Sequence, residues 1–372
     1  MSKTFEASSV LIGTVIGAGI LGIPYVIMKS GYLPGLIYLV GMAAIIIFMN
    51  LLIGEIILRT KKRHQLTGYA EKYLGKKGKT LMTLSFAVGI FSALIAYLIG
   101  EGASISHILF GSSSYEIHFA IAFWLIMSGL VFFEIRSLKK VMPVGVILVA
   151  VLIISLAVLY WNKIDVSNPS YINPQNLFFP FGVILFAFLG FSAMPEMERI
   201  VGKDKYLTKR VIIISYLVVL ALYIVFATIV LGAKGLNVPQ ISTISLGKPF
   251  ILLGMFTMFT AYLSLSIAFL DLIHTDYKKS KLSSWLIVAL VPLIMYLILK
   301  ITNSADFVSV LGIGGVISGG LNAILILYMS EKAKSQGDRK PEYKIPLPKF
   351  IKWFIIIVFI AGAVSQILIK LS

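Results

Sequence analysis

The residues best placed to do chemistry are backbone groups, exposed by a run that no plain apolar helix would carry. Between Ile12 and Tyr25 the chain holds Gly13, Gly17, Gly19, Gly22 and Pro24. Glycine costs about 1 kcal/mol relative to alanine inside a helix, so this run predicts a break. A break at bilayer depth strands N–H and C=O groups, each worth several kcal/mol in hydrocarbon unless protein, water or ligand pairs with it. The half-helix resuming near Gly19 would present free N–H groups and a partial positive end, suited to a carboxylate. The preceding half would offer carbonyls near Gly13 to Ile16, suited to an ammonium group or a bound cation. The two ends together match a zwitterionic amino acid. Close helix packing through small residues is the competing explanation of the glycines. A bulky β-branched residue at Gly19 is expected to abolish binding and leave the protein folded.

A second interruption runs through Phe188-Leu189-Gly190-Phe191-Ser192-Ala193-Met194-Pro195-Glu196. Gly190 and Ser192 loosen the helix, and Pro195 suits the first turn of a new one, where its missing N–H goes unneeded. Around it stand three carboxylates deeper than headgroup level: Glu55, Glu101 and Glu196. Intramembrane carboxylates are costly, which makes each a functional candidate. Glu196 would hold an inner gate, carry a proton or cap its half-helix. Glu55 would brace the core, and Glu101 would stand at an outer proton entry. A sodium ion would instead use carbonyls of Gly13 and Ile16 with hydroxyls of Thr257, Thr260 and Ser264, which share one helical stripe. Those hydroxyls can equally bond their own backbone.

These residues need elements to hold them. Of the 372 residues 58% are hydrophobic and 13% charged, a profile that implies a polytopic membrane protein. Spans need about 20 apolar residues each, and eleven segments qualify: 8–28, 33–59, 81–109, 117–135, 138–161, 179–200, 208–233, 249–274, 282–300, 305–329 and 350–370. The net charge of +17 does not point to nucleic acid, because its placement alternates. With the N-terminus inside, 27 of the 33 Lys and Arg residues fall on cytoplasmic segments, including Lys139 and Lys140, which would snorkel at the inner end of span 5. The C-terminus then lies outside. The first span carries no small-residue cleavage site, which argues for retention in the membrane rather than cleavage. Leu66, Tyr69, Ala70, Tyr73 and Leu74 recur at helical spacing and predict an interfacial helix over 64–78, apolar face in the membrane, stopped by Gly75 and Gly78. The 162–178 loop, with Asn168-Pro169 and Asn173-Pro174, reads as outer turns. Residues 330–349 read as a flexible basic connection.

The first break lies in a span running outward and the second in a span running inward. Residues 1–161 and 179–329 therefore each open a five-helix unit with a discontinuous helix in opposite orientation, with 350–372 as a peripheral eleventh span. This is the pattern of a secondary transporter built from inverted repeats, with substrate at the midplane. Cysteine is absent, which removes disulfides and thiolate chemistry. The histidines His64, His107, His118 and His274 show no metal spacing, and no Gly-x-x-x-x-Gly-Lys loop occurs, so neither a metalloenzyme nor an ATP motor is expected. The cluster from Gly312 to Gly320 is expected to pack or flex against span 1. A passive pore would need a charged ring or filter, and none is seen.

Gly17-Ala18-Gly19-Ile20-Leu21-Gly22-Ile23-Pro24, Ala96-Tyr97-Leu98-Ile99-Gly100 and Gly190-Phe191-Ser192-Ala193-Met194-Pro195-Glu196 resemble the amino acid–polyamine–organocation superfamily. Within it they are most similar to the amino acid/auxin permeases, which include the aromatic amino acid permeases. Asn50 to Glu55 and Thr260 to Asp271 add weaker matches, and the resemblance covers spans 1–10. It implies an all-α, leucine-transporter-like 5+5 inverted repeat with helices 1 and 6 discontinuous, and symport of neutral amino acids, aromatic or branched among them, driven by a proton or sodium gradient. It places Gly17, Ala18, Gly19 and Ile20 on the carboxylate, and Phe188, Gly190, Phe191, Ser192 and Tyr97 around the rest. Glu101 stands where the family tends toward small residues, and Ala261 follows Thr260 where the family usually has a second hydroxyl, which weakens a sodium site. An exchanger or a non-transporting amino acid sensor on the same fold is the alternative. The expected partners are an amino acid and the lipids of the cell membrane, with no nucleic acid, no obligate protein and no cofactor beyond a coupling sodium ion.

Overall fold

The computed structural model describes residues 2–133, 142–165, 171–304 and 306–371. Lys139, Lys140 and Asn168-Pro169 lie outside the described residues. The first apolar segment forms α1 (Lys3–Val15) and α2 (Ala18–Ser30), bent by 56° at Ile16-Gly17. There follow α3 (Tyr32–Leu58), α4 (Leu66–Phe110), α5 (Glu116–Phe132) and α6 (Met142–Tyr160). The second interrupted segment gives α7 (Pro180–Phe188) and α8 (Met194–Val201), then come α9 (Leu207–Lys234), α10 (Lys248–Asp276) and α11 (Lys281–Ile301). α12 (Phe307–Gly314) continues through a π-helical turn, Gly315–Gly319, into α13 (Gly320–Gln336), and α14 (Lys349–Leu371) ends the chain. Among the described residues nine helices are long and apolar enough to cross a membrane, ten when the bent pair counts as one, and α5 is a shorter apolar helix. The protein is therefore an all-helical, multi-pass membrane protein.

The packing places the two interrupted segments at the centre. α2 lies on α7 and α1 on α8, so each half of one break faces a half of the other. α3 packs on α9, α4 on α10, and α5 on α11. The glycines of α12 and the π turn close against α7 rather than against the first span. A Cβ at Gly182 would meet the Gly312 backbone at 2.6 Å, and one at Gly319 would meet Leu185 at 2.9 Å. The expectation that this cluster serves span 1 is thus corrected: it seats α12 and the π turn on the sixth span.

Two other expectations change. Gly75, with φ of +73°, does break the helix that begins at Leu66, but Gly78 remains helical. The apolar face of that short helix does not lie in lipid. Leu66, Tyr69, Ala70 and Tyr73 are all buried in protein, and the Tyr73 hydroxyl hydrogen-bonds Thr60 at 2.7 Å. Thr67 ties it to Asp276 at the end of α10 at 2.6 Å.

The stretch after α13 is a fastened strap rather than a free connection. Asp338 N–H donates to Arg59 O at 2.8 Å, and the Asp338 carboxylate pairs with Lys72 and accepts from the Lys61 N–H at 3.0 Å. The Tyr343 hydroxyl donates to Leu51 O at 2.9 Å, and Lys334 donates to Ile345 O at 2.8 Å. Ile345 N–H reaches the buried Glu55 carboxylate at 2.8 Å, whose other oxygen holds Arg59 at 2.8 Å. The proline-rich composition suggests looseness, but these bonds fix the stretch to α3, to the loop after it and to the short helix before Gly75. Glu55→Ala removes the acceptor of both Arg59 and the strap; breaking a buried pair from one side costs about 3 kcal/mol. A clearly lower melting temperature of the purified protein is expected, and an unchanged one would show the strap to be loosely held.

Candidate functional site

At the first break Ile16 (φ −80°, ψ 93°) and Gly17 (φ −132°, ψ −141°) leave the helical region, and the helix resumes at Ala18. At the second, Leu189 (φ −66°, ψ 120°) and Gly190 (φ −149°, ψ 15°) do the same, followed by a tight turn over Phe191–Ala193 before α8. Pro195 sits in the first turn of α8 as its chemistry predicts. Carbonyls freed at the two breaks meet one donor. The fully buried Tyr223 of α9 directs its hydroxyl to Val15 O at 3.1 Å and to Ala187 O at 2.8 Å. Two turns earlier on the same face, the Tyr216 hydroxyl accepts from Asn50 of α3 at 3.0 Å and lies where a Cβ on Gly190 would come within 2.7 Å. Both tyrosines face inward at seven-residue spacing on α9. That spacing is visible in the sequence, but nothing in it says which backbone oxygens await them.

A cavity opens between the breaks. Thr14, Val15, Gly17 and Gly19 line it from α1 and α2, and Phe186, Leu189, Gly190, Phe191 and Ser192 from the sixth span. Phe86, Gly89, Ile90, Ala93 and Tyr97 form the α4 wall, with Leu265 from α10 and Ser318 and Asn322 from the π turn and α13. It is narrow, with about 70 Å³ in which a water-sized molecule can move, room for a few waters at about 10–15 Å³ each. A bulky occupant must displace some of Phe86, Phe186 and Phe191. Tyr97 closes the end remote from the basic loops. Its hydroxyl meets the Ala18 backbone N–H and stands 2.8 Å from where a Gly17 Cβ would be. The first N–H of the resumed helix therefore faces a phenol that an anion could displace.

Of the residues expected around a ligand, Gly17, Gly19, Tyr97, Gly190, Phe191 and Ser192 come together here. Ala18 contributes its N–H. Ile20 and Phe188 are buried elsewhere; the Phe188 ring packs on Tyr223 with centroids 5.2 Å apart. Phe186, about 200° round α7 from Phe188, and Leu189, where the helix ends, take its place. Gly19 serves packing as well as the cavity. A Cβ there would lie 2.5 Å from the Ala187 Cα, so a bulky residue would part α2 from α7, and the expectation that such a variant stays folded is withdrawn. Gly17 is the cleaner probe, since its Cβ would press only on the tip of a side chain.

The residues expected to couple an ion are dispersed. Thr257, Thr260 and Ser264 donate to Gly254 O, Phe256 O and Thr260 O at 2.8, 2.9 and 2.8 Å, and none lines the cavity. Gly13 and Ile16 lie on the α1 side of the break, where Ile16 N–H closes on Ile12 O at 2.8 Å. Glu55 belongs to the strap. Glu196 is partly exposed and pairs with Arg199 at 2.5 Å. The buried acid of α8 is Glu198, which accepts from Thr208 at 2.7 Å and pairs with Lys205. Glu101 continues the α4 stripe of Ile90, Ala93 and Tyr97 by one further turn. It is 1% exposed, and its Oε1 has no partner among the described residues.

The model of the tryptophan/tyrosine permease family matches residues 1–249, which include both breaks and the α4 wall. The chain belongs to the tryptophan/tyrosine permease family. It is similar to Glutamine transporter 2 of Aliivibrio fischeri, 27% identical over 337 residues and 85% of each chain. It is also similar to the Tyrosine-specific transport system 2 of Haemophilus influenzae, 30% identical over 131 residues, 34% of this chain and 32% of that one. An amino acid transporter of Arabidopsis thaliana matches at 25% identity over 64% of this chain and 57% of its own. Members of the family and these relatives are transporters, not enzymes.

Tyr223→Phe deletes one hydroxyl, which takes its donor from Ala187 O and leaves Val15 O only the Gly17 N–H at 3.1 Å. A buried acceptor left unsatisfied costs about 1–3 kcal/mol, so the variant should melt at lower temperature than the wild type. An equal melting temperature would mean that the breaks are satisfied by other means.

Proposed function

We propose that this permease is a secondary active transporter that imports neutral amino acids across the cell membrane, with substrate held in the cavity between the two helix breaks. That cavity is the observation that carries the reading. It joins a half-helix N-terminus, an apolar wall and a phenol at one point, in a family whose members move amino acids. The Ala18 N–H and the α2 dipole would receive the carboxylate. The carbonyl side of the first break, together with Gly190 to Ser192, would receive the ammonium group. The relatives' names, tyrosine and glutamine among them, favour a neutral substrate, and no lining side chain carries a formal charge.

The finer architecture belongs to the same proposal. Eleven spans arise if the nine long helices, the bent pair and α5 all cross. A 5+5 inverted repeat over 1–161 and 179–329 is supported by the way counterparts meet. In that numbering span 1 packs on span 6, 2 on 7, 3 on 8 and 4 on 9, an arrangement consistent with an in-plane two-fold. The basic loops support an N-terminus in the cytoplasm and a C-terminus outside. Alternating access would rock one set of helices about the fixed site, with Tyr97 closing the outer end in the present state.

For coupling we favour a proton. The hydroxyls a sodium ion would need are turned to their own helix, whereas Glu101 is a buried acid one turn beyond Tyr97 with an unpartnered oxygen.

Uptake by proteoliposomes, with a panel of neutral amino acids and imposed proton or sodium gradients, tests the whole reading. Saturable accumulation driven by a proton gradient is expected; no accumulation of any amino acid under any gradient would overturn it. In the same assay Gly17→Ala should weaken apparent affinity at least about tenfold, about 1.4 kcal/mol, with an unaltered melting temperature. Glu101→Gln should abolish accumulation against a gradient yet preserve counterflow exchange. Full accumulation by that variant would remove Glu101 from coupling.

A further inference from the structure

Resting on the transport reading, we propose that Asn322, steadied by Ser318, reads the far end of the substrate's side chain and selects neutral amino acids that end in a hydrogen-bond donor: a phenol, an indole or a carboxamide. Among the described residues Asn322 is the one that both lines the cavity and holds a buried polar atom without a partner. It is 2% exposed; its amide nitrogen donates to Ser318 Oγ at 3.4 Å, and its Oδ1 receives nothing. A buried amide oxygen left open in an otherwise satisfied wall is a vacancy for a donor.

The placement is built rather than incidental. The π-helical turn Gly315–Gly319 inserts one extra residue between α12 and α13 and so turns Ser318 and Asn322 toward α4. Ser85 of α4 donates to Ser318 O at 2.8 Å, which holds the turn in place. Gly89 makes room for it, since a Cβ there would lie 2.9 Å from the Ser318 Cβ. The pair stands level with Ser85 and Gly89, whereas the N–H end of the cavity stands level with Tyr97. Eight helical residues separate Gly89 from Tyr97, about 12 Å at about 1.5 Å per residue. An amino acid anchored by its carboxylate at Ala18 therefore needs a long side chain to reach Asn322. Between the two ends the wall is Phe86, Ile90, Ala93, Phe186 and Leu265, which suits a flat or aliphatic stem. A cationic side chain would find no carboxylate among the lining residues. A hydrophobic side chain of equal size would fit the stem and leave Oδ1 unsatisfied. Sites that hydrogen-bond a substrate group reject analogues lacking it far more strongly than apolar pockets reject a size difference.

The test uses matched pairs that differ by one donor: tyrosine against phenylalanine, tryptophan against 3-benzothienylalanine, and glutamine against methionine. Competition is measured in proteoliposomes and, in parallel, by equilibrium binding to the detergent-solubilised full-length protein. The wild type should favour the donor-bearing member of at least one pair by about tenfold or more. Asn322→Leu should bring that ratio to within about twofold, and Asn322→Asp, which keeps an oxygen at the same place, should retain it. If Asn322→Leu does not fold, Asn322→Ala gives the same readout. A wild type that distinguishes no pair, a ratio unchanged in Asn322→Leu, or an equal loss in Asn322→Asp would each overturn the assignment. Should the wild type bind amino acids yet transport none, the transport reading fails and the binding ratios alone decide the role of Asn322.

Discussion

The structure depends on how it satisfies backbone groups that two broken helices leave open within the hydrocarbon layer. A peptide group stranded there has no water to turn to, so the break survives only with a designated partner. Tyr223 supplies one for both breaks at once, bridging Val15 and Ala187 from a third helix. Its two neighbours on the same face complete the arrangement: Phe188 stacks on its ring, and Tyr216 is held by Asn50 beside Gly190. The two breaks are thus joined through one side chain, and the cavity opens between them. On the cavity side Tyr97 faces the Ala18 N–H, a contact that a better acceptor could replace. The difference between the two sides, permanently paired and provisionally paired, is what makes a site out of an irregularity.

Glycine and proline placement made the breaks legible in the sequence, because both residues act on the local backbone whatever surrounds them. Gly17, Gly190 and Pro195 fall where that chemistry puts them. The membrane class was legible for the same reason: it follows from summed hydropathy and charge, not from any contact. The side-chain lining was only half legible. Phe188 looks like a wall residue by position, yet its ring packs on Tyr223, and Phe186 and Leu189 line the cavity instead. Ser318 and Asn322 were out of reach because a π turn shifts their face by one residue, and no sequence period announces it. The glycines beside them were noticed but assigned to the wrong neighbour, since small residues declare closeness without naming a partner.

The acidic residues show the limit from another side. Depth in a span identified Glu55, Glu101 and Glu196 as costly, but cost is settled by partners that lie far along the chain. Glu55 is answered by a backbone N–H 290 residues away, and Glu196 by an arginine three positions on. Glu198, two residues further along α8, is the acid that α8 buries. Helix counting could not separate those two neighbours, because the distinction is a rotation of about 200° about the helix axis. Only Glu101 retains, in three dimensions, the exposed cost that sequence position assigned to it.

The strap between α13 and α14 has a mechanical consequence. It is fastened to α3 through Leu51, Glu55 and Arg59, and to the short helix before Gly75 through Lys72. A tether anchored at both ends gears the elements it joins. A tilt of α3 is transmitted to α13 and to α14, and a displacement of α14 is returned to the centre. The last helix is therefore not a bystander: it is a handle on the same shaft.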